Sequence, residues 1–129
     1  MEKYPHLKVI THHCGGMVPF FADRIRKFYH TVEMRLKYYS VFLTRPPLEY
    51  LRMFYYDTAI SGSTPALMCG YAFCGPGQML FGTDAPYDYQ LGEWNTREAV
   101  RSVEEMPIPA SEKKMIFEDN ARNLLRLPI

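Results

Sequence analysis

The sequence predicts an α/β fold in which three parallel strands alternate with helices. Three short segments rich in apolar, β-branched or aromatic residues, at 8–12, 55–59 and 79–83, are separated by long stretches whose apolar side chains recur at helical spacing. Strands joined by long helical connections pair in parallel through right-handed crossovers. The 129 residues therefore form one domain, or a part of one, with three strands and about five helices.

The predicted helices begin at recognisable start signals, which are a proline in the first turn or a Ser or Thr that caps free N–H groups. The first helix covers residues 17–30, with Pro19 in its first turn. The other predicted starts share the same two signals and are Pro46-Pro47, Thr64, Thr96 and Ser111.

Composition excludes several classes of protein. Apolar residues make up 47% of the chain and aromatic residues 15%, which is enough for a packed core. The net charge is +1, which gives no basis for binding nucleic acid or an anionic membrane. The longest apolar stretch, residues 66–74, is far shorter than the ~20 residues that cross a bilayer. Because the three cysteines have no zinc-binding spacing and the first residues resemble no targeting peptide, we expect a reduced, cytoplasmic protein.

Two of the predicted strands end in side chains that can do chemistry. His13 follows the first strand and precedes Gly15 and Gly16, where the backbone can come close to a ligand. Asp84 follows the third strand. Because parallel strands deliver their carboxyl ends to one edge of the sheet, we expect His13 and Asp84 to converge there, within about 12 Å. Each can bind a metal or transfer a proton, or else satisfy its own loop as an ordinary hydrogen-bonding or capping group.

The sequence indicates a functional role less strongly for four other residues. His12 adjoins His13 in a strand pattern, so we expect at most one of the two to face the site. Asp57 lies within a strand and needs a hydrogen-bonding partner, which favours a structural role. Cys14 lacks a second neighbouring base and is not expected to be a nucleophile. From spacing alone, Arg24 is a solvated residue on the polar side of the first helix.

These motifs together resemble the amidohydrolase superfamily, in particular the branch that contains aminocarboxymuconate-semialdehyde decarboxylase and related aromatic-acid decarboxylases. Three segments match in order, and a similar closing helix follows at residues 114–125. The segments are His-x-Gly-Gly with its following Pro, Phe and Arg (His13, Gly15, Gly16, Pro19, Phe20, Arg24), the strand Tyr-Tyr-Asp-Thr-Ala, and Leu-Phe-Gly-Thr-Asp-x-Pro-Tyr. The resemblance covers nearly the whole chain.

The resemblance implies a (β/α)₈ barrel with one divalent metal, usually zinc, at the carboxyl ends of its strands. It places His13 at the end of the sixth strand as the group that activates metal-bound water or handles the proton, and Asp84 at the end of the eighth as a metal contact. It makes Arg24 a residue that holds a substrate carboxylate in a neighbouring subunit. The implied activity is metal-assisted hydrolysis or non-oxidative decarboxylation of a small carboxylate.

The sequence also departs from the family. The metal histidines of the family's first and fifth strands have no counterpart in these residues, and a complete barrel takes ~250 residues. We therefore expect the C-terminal segment of such an enzyme, inactive alone and binding zinc weakly or not at all. We expect a homo-oligomer or a complementary N-terminal chain as its partner. The alternative hypotheses are a self-assembling protein with a composite site, and a relic that persists as a binding or structural protein without catalysis.

Overall fold

A parallel β-sheet lies at the centre of the structure. The computed structural model describes residues 1–35 and 43–128. Three strands lie in this part of the chain and pair in sequence order: β1 (Ile10–Thr11), β2 (Tyr55–Asp57) and β3 (Met79–Leu80). Ile10 lies opposite Tyr55, and Asp57 lies opposite Leu80. The predicted three-stranded parallel sheet is thus confirmed, and its strands end at a common edge.

The strands are shorter than predicted because other groups take over from the backbone ladder. Beyond β2, the hydroxyl of Thr58 donates to the carbonyl of Gly82 (2.9 Å) and accepts from the N–H of the same residue (3.0 Å). After β1, a backbone φ of +53° at His13 turns the chain out of the extended conformation. Beyond β2 the two neighbouring strands therefore stay aligned through the Thr58 side chain and through the backbone bond from the N–H of Thr58 to the carbonyl of Leu80 (3.0 Å).

Helices follow each strand and pack against the sheet. The described helices are α1 (Ala22–Arg35), α2 (Pro47–Leu51), α3 (Thr64–Cys74), α4 (Glu93–Glu104), α5 (Ala110–Lys114) and α6 (Asn120–Leu125). A π-helical turn, Met115–Asp119, joins α5 to α6 without a break. If α5, the π-helical turn and α6 are counted as one continuous segment, the described residues contain the five predicted helical segments.

The core lies where β2 and β3 meet the helices. Its fully buried side chains belong to both strands, to the helical segments and to the turn after α4, and burial of each stabilises the fold by about 1.5–3 kcal/mol. They include Tyr56, Leu67, Met79, Val103, Met106 and Ile116. The ring of Tyr56 packs edge-on against Phe73 with centroids 5.8 Å apart, and its hydroxyl donates to the carbonyl of Leu51 at 2.6 Å.

The closing helix is tied to the third strand by backbone and side-chain bonds. The buried amide of Asn120 donates to the carbonyls of Pro76 (2.7 Å) and Met79 (2.8 Å). Within the π-helical turn, the carbonyl of Ile116 accepts from the N–H of Phe81 at 2.9 Å. Both ends of β3 are therefore anchored by this helix.

Four predicted helix starts are wrong. Thr64 is the first residue of α3 and not its cap, which is at Ser63. Helix α1 begins at Ala22 rather than at residue 17, so Pro19 lies in the preceding turn. Helix α4 begins at Glu93, ahead of Thr96, because a carboxylate from the preceding loop supplies its cap. Helix α5 begins at Ala110 after a proline and has no side-chain cap, so Ser111 is not the cap.

Among the described residues, no helix combines the length and the apolar character that crossing a bilayer requires.

Candidate active site at the carboxyl edge of the sheet

His13 and Asp84 meet at the carboxyl edge of the sheet. Nε2 of His13 lies 3.7 Å from Oδ2 of Asp84, well within the predicted separation. Both side chains are accessible, 59% exposed for His13 and 38% for Asp84. The convergence predicted from the two strand ends is therefore confirmed, and both side chains are accessible to solvent.

A run of left-handed backbone turns His13 toward this edge. His13, Cys14, Gly15 and Gly16 have φ values of 53°, 52°, 75° and 60°. Such angles are costly for residues that carry a Cβ, and they concentrate at functional sites. A Cβ at Gly15 would lie 2.4 Å from Cε1 of Tyr56, so only glycine fits at this position.

The turn that carries Asp84 is held by groups from α4 and from the loop before it. Asp84 itself has a φ of +62°. The side-chain amide of Asn95, a buried residue, donates to the carbonyls of Asp84 (3.3 Å) and Tyr87 (3.4 Å). The carboxylate of Asp88 accepts from the N–H of Asn95 (2.9 Å) and of Gln90 (2.6 Å). The role of Asn95 was not predicted from the sequence, because it lies eleven residues beyond Asp84 and just before the predicted helix start at Thr96.

The pKa of Asp88 reflects this role. Desolvation raises the pKa of its carboxyl, but the backbone N–H groups of Asn95, Gly92 and Gln90 together outweigh that effect and hold the pKa below its usual value. Asp88 therefore accepts these bonds as a carboxylate at neutral pH, which fixes the loop after Asp84.

His12 and Asp57 form a second histidine–carboxylate pair beside the first. Nδ1 of His12 lies 3.1 Å from Oδ2 of Asp57, and the rings of His12 and His13 have centroids 6.1 Å apart. Oδ1 of Asp57 accepts from the N–H groups of Cys14 (3.2 Å) and Ala59 (3.1 Å). The expected partner of Asp57 is thus present. The two histidines pair with different carboxylates, so only His13 contacts Asp84.

A cavity of about 360 Å³ adjoins His13. Its walls are mainly apolar and include Pro19, Phe20, Ile60 and Cys69. Arg24 does not line it. That residue lies on α1 and borders a separate apolar cavity of about 640 Å³ together with Met17, Phe21, Ile25 and Phe28. The structure thus brings two of the three predicted site residues together and places Arg24 on another surface.

Cys14 is buried behind the site, and its thiol is poorly ionised at neutral pH. Burial, above all, together with the nearby Asp57 carboxylate and Cys69 thiol, raises the pKa of its thiol to about 12. Its ionised form, which is the nucleophile, is therefore scarce at neutral pH. This agrees with the expectation that Cys14 does not act as a nucleophile.

We expect iodoacetamide at pH 8 to label Cys69 well before Cys14. Cys69 is partly exposed and lines the cavity, whereas a thiol with a pKa of about 12 is ionised in only about one molecule in 10⁴ at that pH. Labelling of Cys14 should rise steeply with pH. Peptide mass spectrometry of the folded protein measures both rates, with urea-unfolded protein as the control in which the thiols react alike. Equal rates in the folded protein would contradict the burial of Cys14.

The donor atoms at this edge suit a divalent metal but do not complete a site. Asp84 offers carboxylate oxygen and His13 offers imidazole nitrogen, both common ligands of zinc and manganese. Across the residues that the structure describes, no group of three or more His, Cys, Asp or Glu side chains is placed to hold an ion. Asp84 and His13 therefore fit a part of a metal site.

Comparison with known proteins defines the class of protein. Residues 1–127 match the model of the amidohydrolase family, and the chain belongs to that family. The 6-methylsalicylic acid decarboxylase of Penicillium expansum is 34% identical over 108 residues, which are 81% of this chain and 32% of that protein. The predicted resemblance to decarboxylases of this superfamily is confirmed.

Solved structures agree with the sequence comparison. A dihydroxybenzoic acid decarboxylase from Polaromonas sp. JS666, with bound manganese and the inhibitor 2-nitroresorcinol, has 29% identity and a TM-score of 0.79 over 98% of this chain and 36% of that chain. The 5-carboxyvanillate decarboxylase of Sphingomonas paucimobilis has 26% identity and a TM-score of 0.78 over 97% of this chain and 35% of that chain. The fold is therefore part of a (β/α)₈ barrel, and the chain spans about a third of the length of the relatives it matches.

Proposed function

We propose that these residues are the C-terminal part of a metal-dependent decarboxylase barrel and that they carry its proton-transfer histidine, His13, and one of its metal ligands, Asp84. The observation that carries the proposal is the 3.7 Å contact between the two side chains at the carboxyl edge of a fold shared with decarboxylases. Active sites of such barrels lie at that edge.

The proposed substrate is a small hydroxyaromatic carboxylic acid. Relatives named for 6-methylsalicylic acid and gamma-resorcylate support this class. In non-oxidative decarboxylation, the bond between ring carbon and carboxylate breaks and CO₂ leaves. The electron pair stays on the ring carbon, which takes a proton. In this proposal His13 delivers that proton, and the exposure of its ring supports reprotonation by water.

A divalent ion, zinc or manganese, would polarise the substrate when bound. Asp84 would supply one of its ligands. Since a catalytic zinc site takes about three protein ligands, we propose that the remaining ligands come from barrel strands outside these residues. Arg24 is proposed to hold a substrate carboxylate across a subunit boundary, which its place on α1 beside an apolar cavity allows.

A decarboxylation assay tests the proposal. A complete barrel that contains these residues, loaded with manganese, should release CO₂ from 2,6-dihydroxybenzoate or 6-methylsalicylate. The 129-residue chain alone should be inactive and should bind manganese or zinc only weakly in isothermal titration. A submicromolar zinc site in the chain alone, abolished by Asp84→Ala, would contradict the shared-ligand proposal. A complete barrel without activity toward any hydroxybenzoate would favour the relic, a binding or structural protein without catalysis.

We expect the isolated chain to form a homodimer or a larger oligomer. The outer edges of β1 and β3 have no strand partner among the described residues, and α1 and the turn before it expose Met17, Phe20 and Phe28 by 70%, 76% and 69%. Unpaired edges and exposed apolar side chains favour association, most simply about a two-fold axis. Light scattering on the eluting peak measures this. A stable monomer at tens of micromolar would contradict it, and Phe28→Lys should shift an oligomer toward monomer.

A further inference from the structure

The pair formed by His12 and Asp57 is not needed for the proposed proton transfer through His13. Asp57 is 10% exposed at its side chain, whereas the His12 ring is 85% exposed. The buried carboxylate is fixed by two backbone N–H donors on one oxygen and faces His12 with the other. A rigid acceptor thus holds an otherwise mobile ring at the carboxyl edge of the sheet.

This geometry determines which nitrogen of His12 carries the proton. A carboxylate only accepts hydrogen bonds, so the Nδ1 that faces Asp57 at 3.1 Å must be the protonated, donating nitrogen. In the neutral ring Nε2 then keeps its lone pair. Because the ring is so exposed, that lone pair is available to a ligand.

We propose that His12, positioned by Asp57, is a hydrogen-bond acceptor for a hydroxyl group of the aromatic ligand. Its ring centroid lies 6.1 Å from that of His13. His12 does not line the cavity beside His13, so the proposed ligand extends from His13 out of that cavity and over the exposed ring of His12. Asp57 is then a positioning residue, and His12 distinguishes hydroxylated rings from rings without an O–H. The hydroxyaromatic class of the ligand rests on the proposed function, but the test below requires no turnover.

Long-range ¹H–¹⁵N NMR of the labelled 129-residue chain reads the tautomer of each histidine. His12 should show the Nδ1–H form at a pH where the ring is neutral. His6, an exposed residue, is the internal control and should show the usual excess of the Nε2–H form. Asp57→Asn keeps an oxygen for the N–H groups of Cys14 and Ala59 but turns an amide donor toward His12, so the tautomer should switch. If the wild-type His12 is mainly Nε2–H, the proposal is overturned without reference to the variant.

Binding is tested with phenol as the probe and anisole, which lacks the O–H, as its control. Phenol should shift the Nε2 resonance of His12, and anisole should leave it in place. His12→Gln should reduce the perturbation of the His13 ring by phenol to that seen with anisole. Absence of a His12 shift with phenol, or equal shifts with both probes, overturns the hydroxyl-acceptor role. Neither result depends on decarboxylation, so a failed activity assay and a failed inference are distinguishable.

Discussion

Replacing His13 by glutamine in the complete, metal-loaded barrel is expected to lower the rate of decarboxylation by about 10²–10⁴-fold, the usual contribution of a positioned proton-transfer group. Glutamine retains the size and polarity of the side chain but cannot deliver a proton. Because the loss falls on the transition state, kcat and kcat/KM should fall together while KM stays nearly constant. Steady-state kinetics of CO₂ release measure both.

The geometry of the site also predicts how a second substitution combines with the first. His13 and Asp84 are 3.7 Å apart, so they should act as a unit. The double variant His13→Gln/Asp84→Asn should then be little slower than the slower single variant, because the groups of a catalytic unit are not additive. His6→Gln is the matched control and should leave the rate unchanged. Losses that multiply in the double variant would show that the two residues act independently.

Gly70→Ala is expected to destabilise the fold by about 1–3 kcal/mol, as overpacking of a tight core does. A Cβ at Gly70 would lie only 2.3 Å from Sγ of Cys14. The change would otherwise favour α3, because alanine is the better helix former by about 1 kcal/mol. Urea denaturation followed by circular dichroism measures the free energy of unfolding, and the sign of the change decides which effect is larger.

A control variant and a second-site rescue test whether the close approach to Cys14 causes the loss of stability in Gly70→Ala. Gly77→Ala adds the same methyl group where the nearest atom, Cε of Met115, is 3.8 Å away, and should be nearly neutral. Cys14→Ala in the Gly70→Ala background should recover part of the loss, with a coupling free energy above about 0.5 kcal/mol. Equal free energies of unfolding for the Gly70→Ala and Gly77→Ala variants would show that the Cys14 side chain moves aside without destabilising the fold.

The parts of the site that could be predicted from sequence are those that follow from strand order. His13 and Asp84 each follow an apolar strand, and parallel pairing brings such positions to one edge. The contact of His12 with Asp57 could not be predicted, because it depends on left-handed backbone at His13 and Cys14. Residue periodicity carries no information about such angles in non-glycine residues.

The exact starts of the helices also could not be predicted from the sequence. Thr96 is a sound capping residue by type, yet the carboxylate that caps α4 belongs to Asp88, in a loop whose path is set by tertiary contacts. The amide of Asn95 and the close approach of Cys14 to Gly70 are likewise consequences of packing between elements distant in sequence. Local patterns predicted the elements, but not the contacts that complete the site.

The bonds from the closing helix to β3 have a consequence for the order of events during synthesis. The anchors of that strand at Met79 and Phe81 come from Asn120 and Ile116, which leave the ribosome long after the strand itself. Domains fold as units as the chain emerges, so until the closing helix has emerged β3 has its bonds to β2 but not those to Asn120 and Ile116. A chain stalled before residue 116 has emerged would therefore lack the bonds that fix both ends of β3, the strand that leads to Asp84.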